Sequence, residues 1–148
     1  MIDYQTDQFT LRKNLQERQR MSYNLYQIDL PEHPEAVIFV NGFVARDRAG
    51  FLWMWQNLFW IRHTTAQAKG CVQVKAGICG PREVIMTSYW RSENDLKDFF
   101  RGAGHRQMMQ FTAKHPQSLC LYNETYQPLR SGKYTHEPQG MASLYARV

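Results

Sequence analysis

The sequence predicts an α+β domain of ferredoxin-like type: an antiparallel four-stranded sheet with two helices on one face, in the order β-α-β-β-α-β. Three observations carry this. Apolar stretches rich in β-branched and aromatic residues bound the region, "AVIFVNGFVAR" (36–46) at one end and "SLCLYNETYQ" (118–127) at the other. Between them "CVQVKAGICGPREVIMTSYW" reads as two strands folded back at Gly80-Pro81. Two capped helical patterns separate the strands, and the second is interrupted at Gly102-Ala103-Gly104.

Each element follows from local chemistry. Residues 1–35 form an N-terminal arm with a possible helix over "TLRKNLQERQRM", a polar-aromatic segment "SYNLYQIDL", and prolines at 31 and 34. The domain proper is residues 36–148. In its first strand Val37, Phe39, Asn41 and Phe43 share one face, while Ile38, Val40, Gly42 and Val44 share the other. Both faces are apolar, so both should be covered. The helix that follows has Asp47 as N-cap and Gly70 as stop, with Phe51, Trp55, Leu58 and Arg62 on one side; it is apolar nearly all round but too short in apolar length to span a bilayer.

In "EVIMTSYW" Val84, Met86, Ser88 and Trp90 alternate with Ile85, Thr87 and Tyr89. Ser92, with Asp95 three residues on, is an acidic variant of the capping box and opens a helix whose apolar face is Leu96, Phe99 and Phe100. Gly102 and Gly104 then permit a change of direction before "HRQMMQFTAKH" resumes the helix, which would re-aim His105. "PLRSGKYTHEPQG" reads as a polar loop and "MASLYARV" as a short strand-like tail.

At 148 residues the chain can bury roughly two-thirds of its unfolded surface without staples. Cys71, Cys79 and Cys120 show no zinc-ligand spacing and are expected to be reduced. The N-terminal residues lack a basic start and an apolar core, so no signal peptide is expected and the cytoplasm is the expected compartment. Residues 1–36 carry four Lys/Arg against six Asp/Glu, and residues 37–148 fourteen against seven. The basic residues are dispersed singly, which argues against nucleic acid as a partner and suits a small anionic or hydrophobic ligand. No H-E-x-x-H pair, G-x-S-x-G elbow or paired-carboxylate arrangement is present, and Gly102-x-Gly104 follows a helix rather than a strand, unlike a dinucleotide fingerprint.

The stretch "VIMTSYWRSENDLKDFFRGAGHRQMMQF", together with "AVIFVNGFVAR", resembles the dimeric α/β-barrel superfamily of small monooxygenases. The resemblance rests on Trp90 ending a strand, Ser92 and Leu96 opening a helix, and His105 after a short break. It is most similar to a branch related to spheroidene monooxygenase, in which "YWRS", "GHR" and the "NETY" strand occur in this order. The resemblance covers about residues 36–126 and implies a homodimer whose sheets enclose a cavity. By analogy with haem-degrading members, it also implies haem with His105 as iron ligand and Asn41 on the opposite wall.

Haem degradation is less expected, because Phe99 and Phe100 stand where those members carry a Trp. Arg91 and Arg106 are candidates for holding an acid group. Phe43, Met86, Trp90, Phe100 and Phe111, with Tyr89, are candidates for an apolar pocket. Two alternatives stay open: a cofactor-free monooxygenase or isomerase-like enzyme with His105 as general base, and a non-catalytic small-ligand or haem-binding protein. Peripheral membrane attachment through Trp53, Trp55 and Trp60, flanked by Arg48 and Arg62, is a lesser expectation.

Overall fold

The computed structural model describes residues 26–28, 34–129, 132–134 and 139–145. In chain order the elements are β1 (Tyr26–Ile28), β2 (Val37–Ala45), α1 (Arg48–Ala66), β3 (Cys71–Gly80), β4 (Glu83–Trp90), α2 (Glu93–Arg101), α3 (Ala103–Lys114), β5 (Leu119–Tyr126), β6 (Gly132–Tyr134) and α4 (Ala142–Tyr145). The main sheet is ordered β3-β4-β2-β5 with every neighbouring pair antiparallel. This is the expected ferredoxin-like arrangement, with the first strand of the β-α-β-β-α-β unit inside the sheet.

The alternation read from the sequence decides which face is which. Along β4 every second residue, Val84, Met86, Ser88 and Trp90, is buried. On β2 their counterparts are Val37, Phe39 and Phe43. These residues meet Met54, Leu58 and Ile61 of α1, Leu96 of α2 and Met108 of α3, so the core lies between the sheet and the helices. The opposite face presents Ile38, Val40, Val44 and Ile85, all half-buried. There Tyr122 lies across Gly42, where a Cβ would come within 1.9 Å of the ring.

The stripe of α1 that faces the core is Gly50, Met54, Leu58, Ile61 and Thr65, not the Phe51, Trp55, Leu58 and Arg62 line. A helix apolar on every side does not select its own buried face. The close approach of Gly50 to the Ser118 carbonyl does, since a Cβ there would lie 2.0 Å from that oxygen. Asp47 caps the helix as expected: its carboxylate accepts from the Gly50 N–H at 2.8 Å and from the Ser118 hydroxyl at 2.8 Å. These two bonds, the backbone one foremost, hold the Asp47 carboxyl below the usual carboxylate range. The tryptophans are engaged internally: Trp53 stacks on Phe111 and Trp55 donates to the Pro81 carbonyl. No helix among the described residues is long and apolar enough to cross a membrane.

Two expectations change. The segment read wholly as polar loop contains β6, which pairs with β1 in a separate two-stranded sheet. The helix expected over "TLRKNLQERQRM" lies outside the described residues. The strand-like tail is instead the single helical turn α4. Gly140 has φ +59° and a Cβ there would meet the Tyr89 ring at 2.8 Å, so the chain turns onto the open face of the sheet instead of joining an edge. Its N–H donates to the Gln73 side chain, and Met141 is buried behind it. Tertiary contact, not the apolar content of "MASLYARV", sets the local conformation.

Candidate active site

The site is built around the break between α2 and α3. Ser92 starts α2 by accepting from the Asp95 N–H at 3.2 Å and donating to the Asp95 carboxylate at 2.9 Å. Gly102 serves as C-cap of α2 and N-cap of α3 at once, with φ −69° and ψ 158°. That conformation is open to any residue, so glycine's freedom is not what makes the break. Gly104 is the constrained position: a Cβ there would stand 2.8 Å from Thr64 Cγ2 of α1.

His105 therefore sits in the first turn of α3 with its ring turned back across the break. Its Nδ1 lies 3.1 Å from the Phe100 carbonyl oxygen. A carbonyl only accepts, so Nδ1 carries the proton and the neutral ring keeps its lone pair on Nε2. Desolvation pushes the His105 pKa down, only partly offset by the bond to Phe100. The ring lies against Phe100 at 5.0 Å and Phe99 at 5.5 Å, and Phe100 in turn meets Phe39 edge-on at 5.0 Å.

Beneath it, between helices and sheet, is a cavity of about 50 Å³. Its walls include Phe39, Phe43, Trp53, Ile61, Phe99, Met108 and Leu121, with His105, Asn41, Asn123 and Ser88 as polar groups. Asn41 and Asn123 are directly opposed in the β2–β5 ladder. Among the described residues neither amide finds a side-chain hydrogen-bond partner. Ser88 is already committed, donating to the Phe39 carbonyl at 3.3 Å and accepting from Trp90 Nε1 at 2.8 Å. Thr65 is likewise committed, to the Ile61 carbonyl, which leaves His105, the Thr112 hydroxyl, the Asn41 amide and, from its exposed position, the Asn123 amide as the polar groups facing this space.

The chain matches the family described as Monooxygenase af470-like over residues 37–137. It belongs to that monooxygenase family. No curated protein matches it. Among solved structures, SnoaB, a cofactor-independent oxygenase from Streptomyces nogalater, aligns with a TM-score of 0.51 at 12% identity, over 64% of this chain and 93% of that one. A putative antibiotic biosynthesis monooxygenase from Deinococcus radiodurans aligns with a TM-score of 0.51 at 19% identity, over 62% and 91%. A Shewanella oneidensis protein reaches 0.54 at 13% identity, over 73% and 98%. These likenesses show the ferredoxin-like fold; the monooxygenase family rests on the match over residues 37–137.

Within this family member the expected site residues divide. His105, Asn41 and Phe43 line one cavity, and Phe100 braces the histidine. Trp90 and Met86 are fully buried behind the cavity as core residues, Trp90 packing on Phe99 at 5.2 Å. Phe111 stacks on Trp53 at 4.8 Å and faces a separate groove between α1 and α3. Tyr89 is on the opposite face of the sheet against Gly140. Asn123 was missed, although its signal was available: in "LCLYNETY" it falls at the parity of Leu119 and Leu121, where an apolar residue is expected.

Haem does not fit this geometry. The enclosed space beside His105 is about 50 Å³, far below the roughly 300–1,000 Å³ of sites that bury ligands of drug size. Arg91 and Arg106, the candidates for holding an acid group, are exposed and line neither this cavity nor the cleft outside it, whose wall sets Asp95 and Asp98 beside Lys69 and His63. Among the described residues no three His, Cys, Asp or Glu side chains converge as a metal set.

Proposed function

We propose that this chain is a cofactor-independent monooxygenase acting on a small aromatic substrate with an acidic C–H or O–H, with His105 as general base and the Asn41 and Asn123 amides as oxyanion donors. The observation that carries the reading is the fixed tautomer of His105. Nδ1–H is held by the Phe100 carbonyl, burial keeps the ring neutral, and Nε2 is left as the basic atom of a ring that lines the apolar cavity.

The chemistry balances without a bound cofactor. Nε2 removes a proton from an activated methylene, and the side-chain N–H groups of the two asparagines hydrogen-bond the enolate or phenolate oxygen that gains the charge. The carbanion supplies the electrons to O₂. One oxygen atom becomes the new carbonyl, and the other leaves as water with the two hydrogens of the methylene. Apolar walls limit water access on the half-buried Asn41 side, whereas Asn123 reaches the site from the exposed end of β5. SnoaB, described as a cofactor-independent oxygenase, shares the fold at low identity and supports this reading by analogy only.

The reading extends to a homodimer. Ile38, Val40, Val44 and Ile85 form an apolar strip on the open sheet face, an area suited to a second copy.

The test is oxygen uptake by purified protein with anthrone-type and phenolic substrates after extensive chelation. Turnover that survives chelation and falls at least 100-fold in His105→Gln is expected. Wild-type turnover requiring added haem, with a Soret shift lost in His105→Ala, would replace this mechanism with the iron-ligand one. No uptake with any substrate would leave a binding protein.

A further inference from the structure

A cavity of about 50 Å³ is too small for an aromatic substrate, yet a second space lies directly outside it. A cleft of about 450 Å³ opens between the C-terminal end of α1 and the α2–α3 break. Its walls include Thr64 and Gln67 of α1, Asp95 and Asp98 of α2, and Gly104 of α3. Phe99 and His105 line both the cleft and the inner cavity. They are the partition between the two.

We propose that cleft and cavity form one two-compartment binding site, joined when the Phe99 ring swings aside. An amphiphilic aromatic ligand would place its ring in the inner cavity enlarged by the volume the Phe99 ring vacates, and an uncharged or cationic polar end in the cleft. The cleft at about 450 Å³ has the size of an ordinary small-molecule site, which the inner cavity lacks, while the inner cavity adds the apolar walls and the two amides. Phe99 is suited to move because it is half-buried and held by ring contacts, at 5.2 Å to Trp90 and 6.0 Å to Phe100, with no hydrogen bond to break. His105 is tethered at Nδ1 and stays in place at the junction. The middle of the ligand would pass its Nε2.

The cleft wall sets the preference for the polar end. Asp98 is paired with the exposed Arg101 at 3.6 Å and Asp95 accepts from the Ser92 hydroxyl at 2.9 Å. With Lys69, His63 and His105 as the other titratable side chains of the wall, the two carboxylates outnumber its one lysine in a chain that is basic overall. Thr64 and Gln67 add neutral hydrogen-bonding groups. An anionic end would meet two carboxylates; a hydroxyl or ammonium end finds acceptors. Gly104 keeps the cleft open, because any side chain there presses on Thr64.

This rests on the same site as the proposed oxygenase but not on turnover, so binding is the readout. The probes are 2-(2-naphthyl)ethanol, 2-(2-naphthyl)ethylamine and 2-naphthylacetate, titrated by calorimetry, with bound-state contacts read by NMR on methyl-labelled Met and Thr. The alcohol and amine should bind at least 10-fold tighter than the acetate, and Asp95→Asn with Asp98→Asn should erase that difference. Naphthyl protons should contact the Met108 methyl while the side-arm protons contact the Thr64 methyl. Phe99→Leu, which removes the ring but keeps an apolar side chain at the partition, should raise the association rate at least 5-fold, and Gly104→Val should weaken binding at least 10-fold.

Contacts to Thr64 without Met108, equal affinity for the three probes, or no binding by any of them would each overturn the proposal. Loss of oxygenation with these binding results intact would sink only the catalytic reading.

Discussion

At the scale of single residues, the histidine is defined by what its other nitrogen does. His105 Nδ1 donates to the Phe100 carbonyl, five residues back across the helix break, and burial lowers the ring's affinity for protons. Its proton is therefore lost at a lower pH than from an ordinary histidine, as the proposed base role requires. The acid limb of kcat/KM should fall below pH 6.5, the unperturbed value. An inflection at or above that pH, with His105 followed directly by NMR titration, would rule out this environment. The same shift has a sign for stability. The unfolded chain binds the proton more readily than the folded one, so the contribution of His105 is complete above about pH 6.5 and is lost as the pH falls from there through the lower folded value. His105→Gln should flatten that part of a urea-denaturation profile. Cys71 shows the same physics in a thiol: desolvation pushes it up to about 11, leaving it protonated and unreactive at neutral pH.

At the scale of elements, caps were legible and packing faces were not. Ser92, Asp95 and Asp47 do in three dimensions what their spacing implies, because a cap is satisfied within four residues of chain. Removing the Ser92 hydroxyl in Ser92→Ala should cost about 1 kcal/mol of folding stability, measured by chemical denaturation, by freeing the Asp95 N–H at the start of α2. A change under about 0.3 kcal/mol would show that α2 is held by Leu96 and Phe99 alone. The α1 stripe was not legible, since nearly every residue of the helix could have faced inward. Its rotation is fixed by Gly50 against the Ser118 carbonyl, 68 positions away in sequence, and by Asp47 bonding Ser118 itself. The tail gave a similar lesson: α4 exists where Gly140 and Met141 meet Tyr89 and Gln73, a contact no local pattern encodes.

At the scale of the whole molecule, the two faces of the sheet differ. The helices cover the β4 side chains of the core face, whereas Ile38, Val40, Val44 and Ile85 are half-buried on the other, where among the described residues Tyr122 lies over Gly42 and Gly140 lies against Tyr89. A second copy on this strip should make the protein sediment as a dimer at micromolar concentration, and Val40→Lys should shift it to monomer without unfolding it. A wild-type monomer under those conditions would remove the closed barrel from the account. The sequence by itself determined the strand alternation, both helix caps and the β-α-β-β-α-β order, because each depends on neighbours a few residues away; the candidacy of His105 and Asn41 came from the family resemblance. Only the tertiary structure decided that Asn123 stands opposite Asn41, that Trp90 and Met86 are core and not lining, and that Phe99 and His105 divide two spaces. Those facts depend on strand register and on how three helices settle against one sheet, which short-range chain chemistry does not fix.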